Sequence, residues 1–192
     1  DQPRSRGLGD VYKRQGPGGG IDAPITGGSA YVTGRMGKAL QLDGDDSIWV
    51  GRSGALDVVG QITLSAWVKP TSLTETQMIV GQAYGPWPIQ IGNFMRISGG
   101  KYEVGYYNGG YYAARATIAP SDLNTWVHLV GTYDGKTWRL YRNGTSVASM
   151  DSGVGAKVAP NAWRIGSSDA PGEYFRGAID SVRLYAQALS AA

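Results

Sequence analysis

Cysteine is absent from the 192 residues. The chain therefore has no disulfide, no zinc-thiolate centre and no cysteine nucleophile. Histidine occurs once, at His128, and glutamate only at Glu75, Glu103 and Glu173, far apart along the chain. A Ser-His-Asp triad would need His128, and no G-x-S-x-G nucleophile elbow exists to serve it. Apolar runs stay well short of the roughly 18 residues that mark a membrane-spanning helix, so membrane insertion is not expected. The first residues lack the apolar segment of a secretory signal. Acidic and basic side chains nearly balance. The formal net charge is +3, but Arg4, Arg6, Lys13 and Arg14 sit in the first 20 residues against Asp1 and Asp10. The remainder is close to neutral and offers no basic patch for a nucleic acid.

Glycine (30 residues), tyrosine (12) and tryptophan (6) are abundant, whereas phenylalanine occurs twice. Tyrosine and tryptophan pack as large apolar groups yet keep a polar handle, which suits surfaces that are part dry and part wet. Residues 1–20, DQPRSRGLGDVYKRQGPGGG, are polar, glycine-rich and without periodicity. They are expected to be disordered and to be a non-native leader, with an interdomain linker as the alternative, and GLGDVYKRQ resembles a translated adaptor. Residues 21–192 form the expected folded unit.

In Ile62–Pro70, ITLSAWVKP, the apolar positions Ile62, Leu64, Ala66 and Val68 alternate with Thr63, Ser65, Trp67 and Lys69. That period of two predicts a half-buried strand, which Pro70 ends because it has no N–H to donate. Further strands are predicted at 39–42, 48–50, 78–82, 94–98, 102–107, 111–116, 126–133, 137–142, 145–150, 163–166 and 175–185. Turn residues separate them, and Asn108-Gly109-Gly110 reads as a hairpin. About a dozen short strands without a convincing helix predict an all-β sandwich or barrel. Asn143-Gly144-Thr145 has the form of a glycosylation sequon, but Asn-Gly between two strands is read as a type I′ turn.

Two clusters carry chemistry. Asp43, Asp45 and Asp46 crowd one tight turn. Like charges this close repel unless a cation or hydrogen bonds compensate, and hard oxygen ligands in a flexible loop suit Ca²⁺. A second set, Tyr84, Trp87, Tyr107, Tyr111, Tyr112 and Tyr174, lies in or beside loops rich in Gly, Pro and Asn. Such rings can stack on the C–H faces of sugars, with Asn108, Arg115, Gln90 and Asn93 available for the hydroxyls. On a hairpin, Tyr107 and Tyr111 would equally serve as cross-strand partners that stabilise the sheet.

Four phrases, GKALQLDGDDSIWV (37–50), ITLSAWVKP (62–70), WVHLVGTYDGKTWRLYRNG (126–144) and WRIGSSDAPGEYFRGAIDSVRLYAQALSAA (163–192), resemble the concanavalin A-like lectin/glucanase superfamily in its bacterial laminin-G-like branch. The resemblance implies an antiparallel two-sheet jelly-roll sandwich, one sheet concave. It implies framework packing for Trp49, Trp67, Trp126, Trp138 and Trp163, and a packed, hydrogen-bonded His128. It adds Asp180 to the acidic turn, so that Asp46 and Asp180, helped by Asp43 and the Gly44 carbonyl, would hold a structural calcium. The E-x-D-x-x-E strand motif of the superfamily's hydrolases is missing. The implied function is a non-catalytic, lectin-like module that binds a polysaccharide or glycan. It would be a monomeric domain of a larger secreted or surface-attached bacterial protein. A protein-interaction or adhesion module is the alternative. A glycosidase, or a lyase drawing on Tyr106, Arg115 and His128, is a third reading.

Overall fold

A computed structural model describes residues 23–52, 54–82, 91–168 and 172–190. The predicted leader and the segment with Tyr84, Trp87 and Gln90 lie outside the described residues. The described strands are β1 (Ile25–Thr26), β2 (Ala30–Thr33), β3 (Lys38–Asp43), β4 (Ser47–Gly51), β5 (Ile62–Pro70), β6 (Gln77–Gln82), β7 (Ile91–Ser98), β8 (Lys101–Asn108), β9 (Tyr111–Thr117), β10 (Val127–Tyr133), β11 (Thr137–Arg142), β12 (Thr145–Asp151), β13 (Trp163–Ile165) and β14 (Arg176–Tyr185). Two 3₁₀ turns, Gly54–Leu56 and Pro120–Asp122, are the only helical pieces among the described residues. The strands form two seven-stranded antiparallel sheets. The first runs β1-β4-β13-β6-β7-β8-β9 and the second β12-β11-β10-β5-β14-β3-β2.

Alternation builds the core between the sheets. Ile62, Leu64, Ala66 and Val68 of β5 are fully buried, with Val127 and Leu129 of β10 and Ile179 of β14 beside them. The first sheet answers with Ile79 and Val80, Met95 and Ile97, and Tyr102, Val104 and Tyr106. Trp138 stacks on Tyr133 with ring centroids 4.8 Å apart, and its indole N–H donates to the Val154 carbonyl at 3.2 Å. At Gly131 of β10 the two layers approach closely. A Cβ there would lie 2.1 Å from Val104 Cγ2 and 2.7 Å from Val104 Cβ across the core.

β5 differs from its half-buried expectation, since only Trp67 and Lys69 of its outer row remain partly exposed. The C-terminal tail covers the other end of that row. Thr63 Oγ1 donates to the Gln187 carbonyl at 2.7 Å and accepts from the Leu189 N–H at 3.0 Å. The type I′ reading of Asn143-Gly144 agrees with left-handed φ values of 50° and 81°. The Asn143 side chain is committed there, because its Oδ1 accepts from the His128 N–H at 2.8 Å.

Candidate functional site

The outer face of the first sheet gathers side chains that the core does not use. On β7, Met95 and Ile97 point inward, so Phe94 and Arg96 point outward. On β8 the same alternation sends Glu103, Gly105 and Tyr107 outward, and on β9 it sends Tyr111, Ala113 and Arg115. Registers place them side by side: Arg96 opposite Glu103, Glu103 opposite Arg115, and Tyr107 opposite Tyr111. Further across, Arg164 of β13 stands opposite Trp49 of β4.

An ion-pair chain ties the centre of this face. Arg96 donates through Nε to Glu103 Oε2 at 2.9 Å, and Arg115 donates through Nε to Glu103 Oε1 at 2.8 Å. Arg96 and Glu103 are almost wholly buried, while the Arg115 side chain is 37% exposed. The Arg96 guanidinium lies 4.1 Å from the centre of the Tyr111 ring and 4.8 Å from that of Phe94. Tyr107 and Tyr111 sit 4.7 Å apart with tilted rings. At the far side Arg164 lies 4.5 Å over the Trp49 ring. Trp49 and Tyr111, each 43% exposed, thus flank a floor kept low by Gly81, Gly105 and Ala113. Exposed rings beside the partly exposed Arg115 can hold a polyol, with C–H faces on the rings and hydroxyls on that guanidinium.

The residues singled out from sequence separate on this frame. Tyr107, Tyr111 and Arg115 share the face. Tyr112 does not: it is the strand neighbour of Tyr111, pairs with the buried Tyr106, and points to the core side. Asn108 ends β8 in the exposed hairpin, its N–H donating to the Gly110 carbonyl at 3.1 Å. Asn93 is buried, and its Nδ2 donates to Gln82 Oε1 at 2.8 Å. Tyr174 is half-buried before β14, next to Glu173, whose carbonyl accepts from the Met78 N–H at 3.2 Å. Tyr84, Trp87 and Gln90 belong to the undescribed link between β6 and β7. Trp49 was expected to pack as framework, yet the structure exposes it on the same face. The alternation Ser47-Ile48-Trp49, with Ile48 inward, is the signal that finds it.

The acidic turn assembles in part. Ligand oxygens of Asp43, Asp45 and Asp46 lie within 4.8 Å of one another. Asp46 is buried. Its Oδ2 accepts from the Asp43 N–H at 2.8 Å, while its Oδ1 is buried without a hydrogen-bond partner. The neighbouring Asp43, by hydrogen bond and then by charge, holds the Asp45 carboxyl above its usual range. Asp180 does not join them. Asp43 pairs with Arg176 on β14, and Asp180 lies four residues further, roughly 13 Å along the strand. There its oxygens accept from the Met36 N–H at 2.8 Å and from Ser181 Oγ at 3.0 Å. The lyase set is likewise dispersed. Tyr106 is in the core, Arg115 on the first sheet and His128 on the second.

A family model described as Laminin_G_3, of the Concanavalin A-like lectin/glucanases superfamily, matches residues 42–192. The chain belongs to this superfamily. Sequence comparison with curated proteins finds no match. Among solved structures, the superfamily fold is shared with domain 4 of AbnA, a GH43 extracellular arabinanase from Geobacillus stearothermophilus, in complex with arabinotriose. That domain is 24% identical, with a TM-score of 0.78 over 94% of this chain and 89% of that one. The CBM40 of the Ruminococcus gnavus IT-sialidase, bound to α2,3-sialyllactose, is 16% identical, with a TM-score of 0.66 over 80% and 92% of the two chains. The binding domain of Paraclostridial Mosquitocidal Protein 1 is 17% identical, with a TM-score of 0.73, over 91% of this chain and 46% of that one. At these identities the likeness is one of fold. Among the described residues, no helix is long and apolar enough to cross a membrane.

Proposed function

We propose that this domain is a non-catalytic carbohydrate-binding module that attaches a larger extracellular or cell-surface protein to a polysaccharide. The observation that carries the reading is the outer face of the first sheet. There the exposed Trp49 and Tyr111 rings flank the Arg96–Glu103–Arg115 chain. Two of the fold's relatives, the arabinanase domain and the CBM40, were solved with oligosaccharides bound, which supports the same use of this sandwich. An open face leaves much of a glycan wet and must order a flexible chain, so single-site affinity is expected to be modest. Titration calorimetry with arabino-oligosaccharides and other neutral oligosaccharides tests the reading. Tyr111→Ala should weaken binding at least about tenfold, which corresponds to about 1.4 kcal/mol. Silence across the panel, with capture of a protein ligand instead, would turn the reading to adhesion; released reducing ends or unsaturated sugars would turn it to catalysis.

A structural calcium fits the acidic turn, with Asp43, Asp45 and Asp46 as its holders. The orphaned Asp46 Oδ1 supports this, since a buried carboxylate oxygen without a donor calls for a cation. The ion would supply only charge compensation and a staple for the turn between β3 and β4.

A further inference from the structure

The second sheet has an outer basin of its own, on the opposite side of the sandwich from Tyr111. It is about 790 Å³ in volume and open to solvent. Trp67 of β5 stands in the middle. The His128 ring stacks on it at 4.8 Å with an interplanar angle of 21°, and the Arg35 guanidinium lies 5.0 Å from its ring centre. Ser65 Oγ and His128 Nε2, 3.0 Å apart, fix the imidazole. This stack engages Trp67 and holds Arg35 in place. Trp126, two residues before His128 and half-buried, is the other ring of the basin, and it stacks on no other ring among the described residues.

The solvent-exposed charge around this basin is of one sign. Arg35 and Lys69 line it, and Arg183 of β14 pairs with Ser65 beside it. None of the three has a carboxylate within ion-pair distance among the described residues. The nearest acid on these strands is Asp180, opposite Trp67, which is buried with both oxygens already accepting backbone or hydroxyl donors. Asn143 lines the basin and commits its Oδ1 to the His128 N–H, which leaves its amide group available as a donor. Arg35 held over Trp67, Lys69, a side-chain amide and an indole therefore converge where, among the described residues, no exposed acid answers them.

From this we infer that the basin is a second binding site, separate from the first sheet's face, for an acidic saccharide bearing carboxylate or sulfate groups. Arg35 and Lys69 take the anionic group, the Asn143 amide donates to a hydroxyl or ring oxygen, and Trp126 carries a sugar C–H face. Charge complementarity selects the occupant, and the indole favours a sugar over an unadorned anionic chain.

The test is calorimetry of the whole domain at about 50 mM and about 1 M NaCl with polygalacturonate, chondroitin sulfate, neutral dextran and poly-L-glutamate as probes. The expected result is binding of polygalacturonate, chondroitin sulfate or both at low salt and its loss at high salt. Preference between these two identifies carboxylate or sulfate as the group. Arg35→Gln with Lys69→Gln should weaken that binding at least about tenfold, or about 1.4 kcal/mol, with an unchanged circular dichroism spectrum. Lys69→Glu, on a side chain already partly in solvent, should do the same alone. Tyr111→Ala should leave it unaltered, so this site and the first sheet's site fail or stand separately. The inference is overturned if no acidic polysaccharide binds at low salt, if the variants bind as the parent does, or if poly-L-glutamate binds as well as the saccharides.

Discussion

Glu103→Ala should be among the most damaging single changes on the surface of the first sheet. Glu103 lies between two guanidinium groups that differ in exposure. The Arg96 side chain is 5% exposed and that of Arg115 is 37% exposed. Removing the carboxylate takes the ion-pair partner away from the buried Arg96, which costs about 3–5 kcal/mol. For a domain of this length each kcal/mol shifts Tm by about 2–4 °C, so the melting temperature should fall by about 6–20 °C. Arg115 can turn to water, so Arg115→Ala removes only a half-exposed pair and should cost no more than about 1 kcal/mol. Replacing the buried pair together, Glu103→Leu with Arg96→Met, should recover most of the loss, because an apolar pair of similar volume carries no desolvated charge. Differential scanning calorimetry of the three variants decides the matter. A Glu103→Ala protein that melts within about 2 °C of the parent would refute the reasoning.

The acidic turn predicts that EDTA lowers Tm and that Ca²⁺ restores it, by about 2.7 kcal/mol at a hundredfold excess over Kd; no change in either direction would remove the ion from the account. The Asp45 carboxyl is raised, so its contribution to stability is present at low pH and is lost as pH rises through its folded value. The Ca²⁺-induced rise in Tm should therefore be larger at pH 7 than at pH 4, which paired melts would show. His128 is held below its ordinary value of 6.5 by burial and then by Arg183. Its share of stability is complete above pH 6.5 and is lost as pH falls through its folded value. An NMR titration should place its midpoint below 6.5, and a midpoint above it would contradict the packing described. Gly131→Ala should cost about 1–3 kcal/mol, because the added methyl meets Val104 across the core; denaturant melts measure it.

Alternation made most of the fold legible. The predicted strands correspond to β3 through β14, and the Asn-Gly pair at 143–144 adopts the left-handed geometry expected of it. β1 and β2 carry no strand signal in the sequence, because the stretch from Ile25 to Thr33 is broken by Gly27-Gly28-Ser29 and, being largely exposed, has no apolar row. Site residues were legible where the period of two was followed through. Tyr107, Tyr111 and Arg115 fall on one side by that rule, and the same rule sends Tyr112 to the other. Trp49 and Trp67 were assigned to framework packing by resemblance, although each stands at an outward position of its strand. Asp180 illustrates what a chain reading lacks. Its distance from Asp43 is set by the register of β14 on β3, which no local pattern encodes.

The claim at the centre of this account is that the outer face of the first sheet meets a sugar. Chemical-shift mapping of the ¹⁵N-labelled domain, titrated with an oligosaccharide that binds, tests it most directly. The Trp49 indole and the backbone amides of Tyr107, Tyr111, Arg115 and Arg164 are predicted to move together along one saturation curve. Shifts confined to other surfaces, with these signals still, would contradict it.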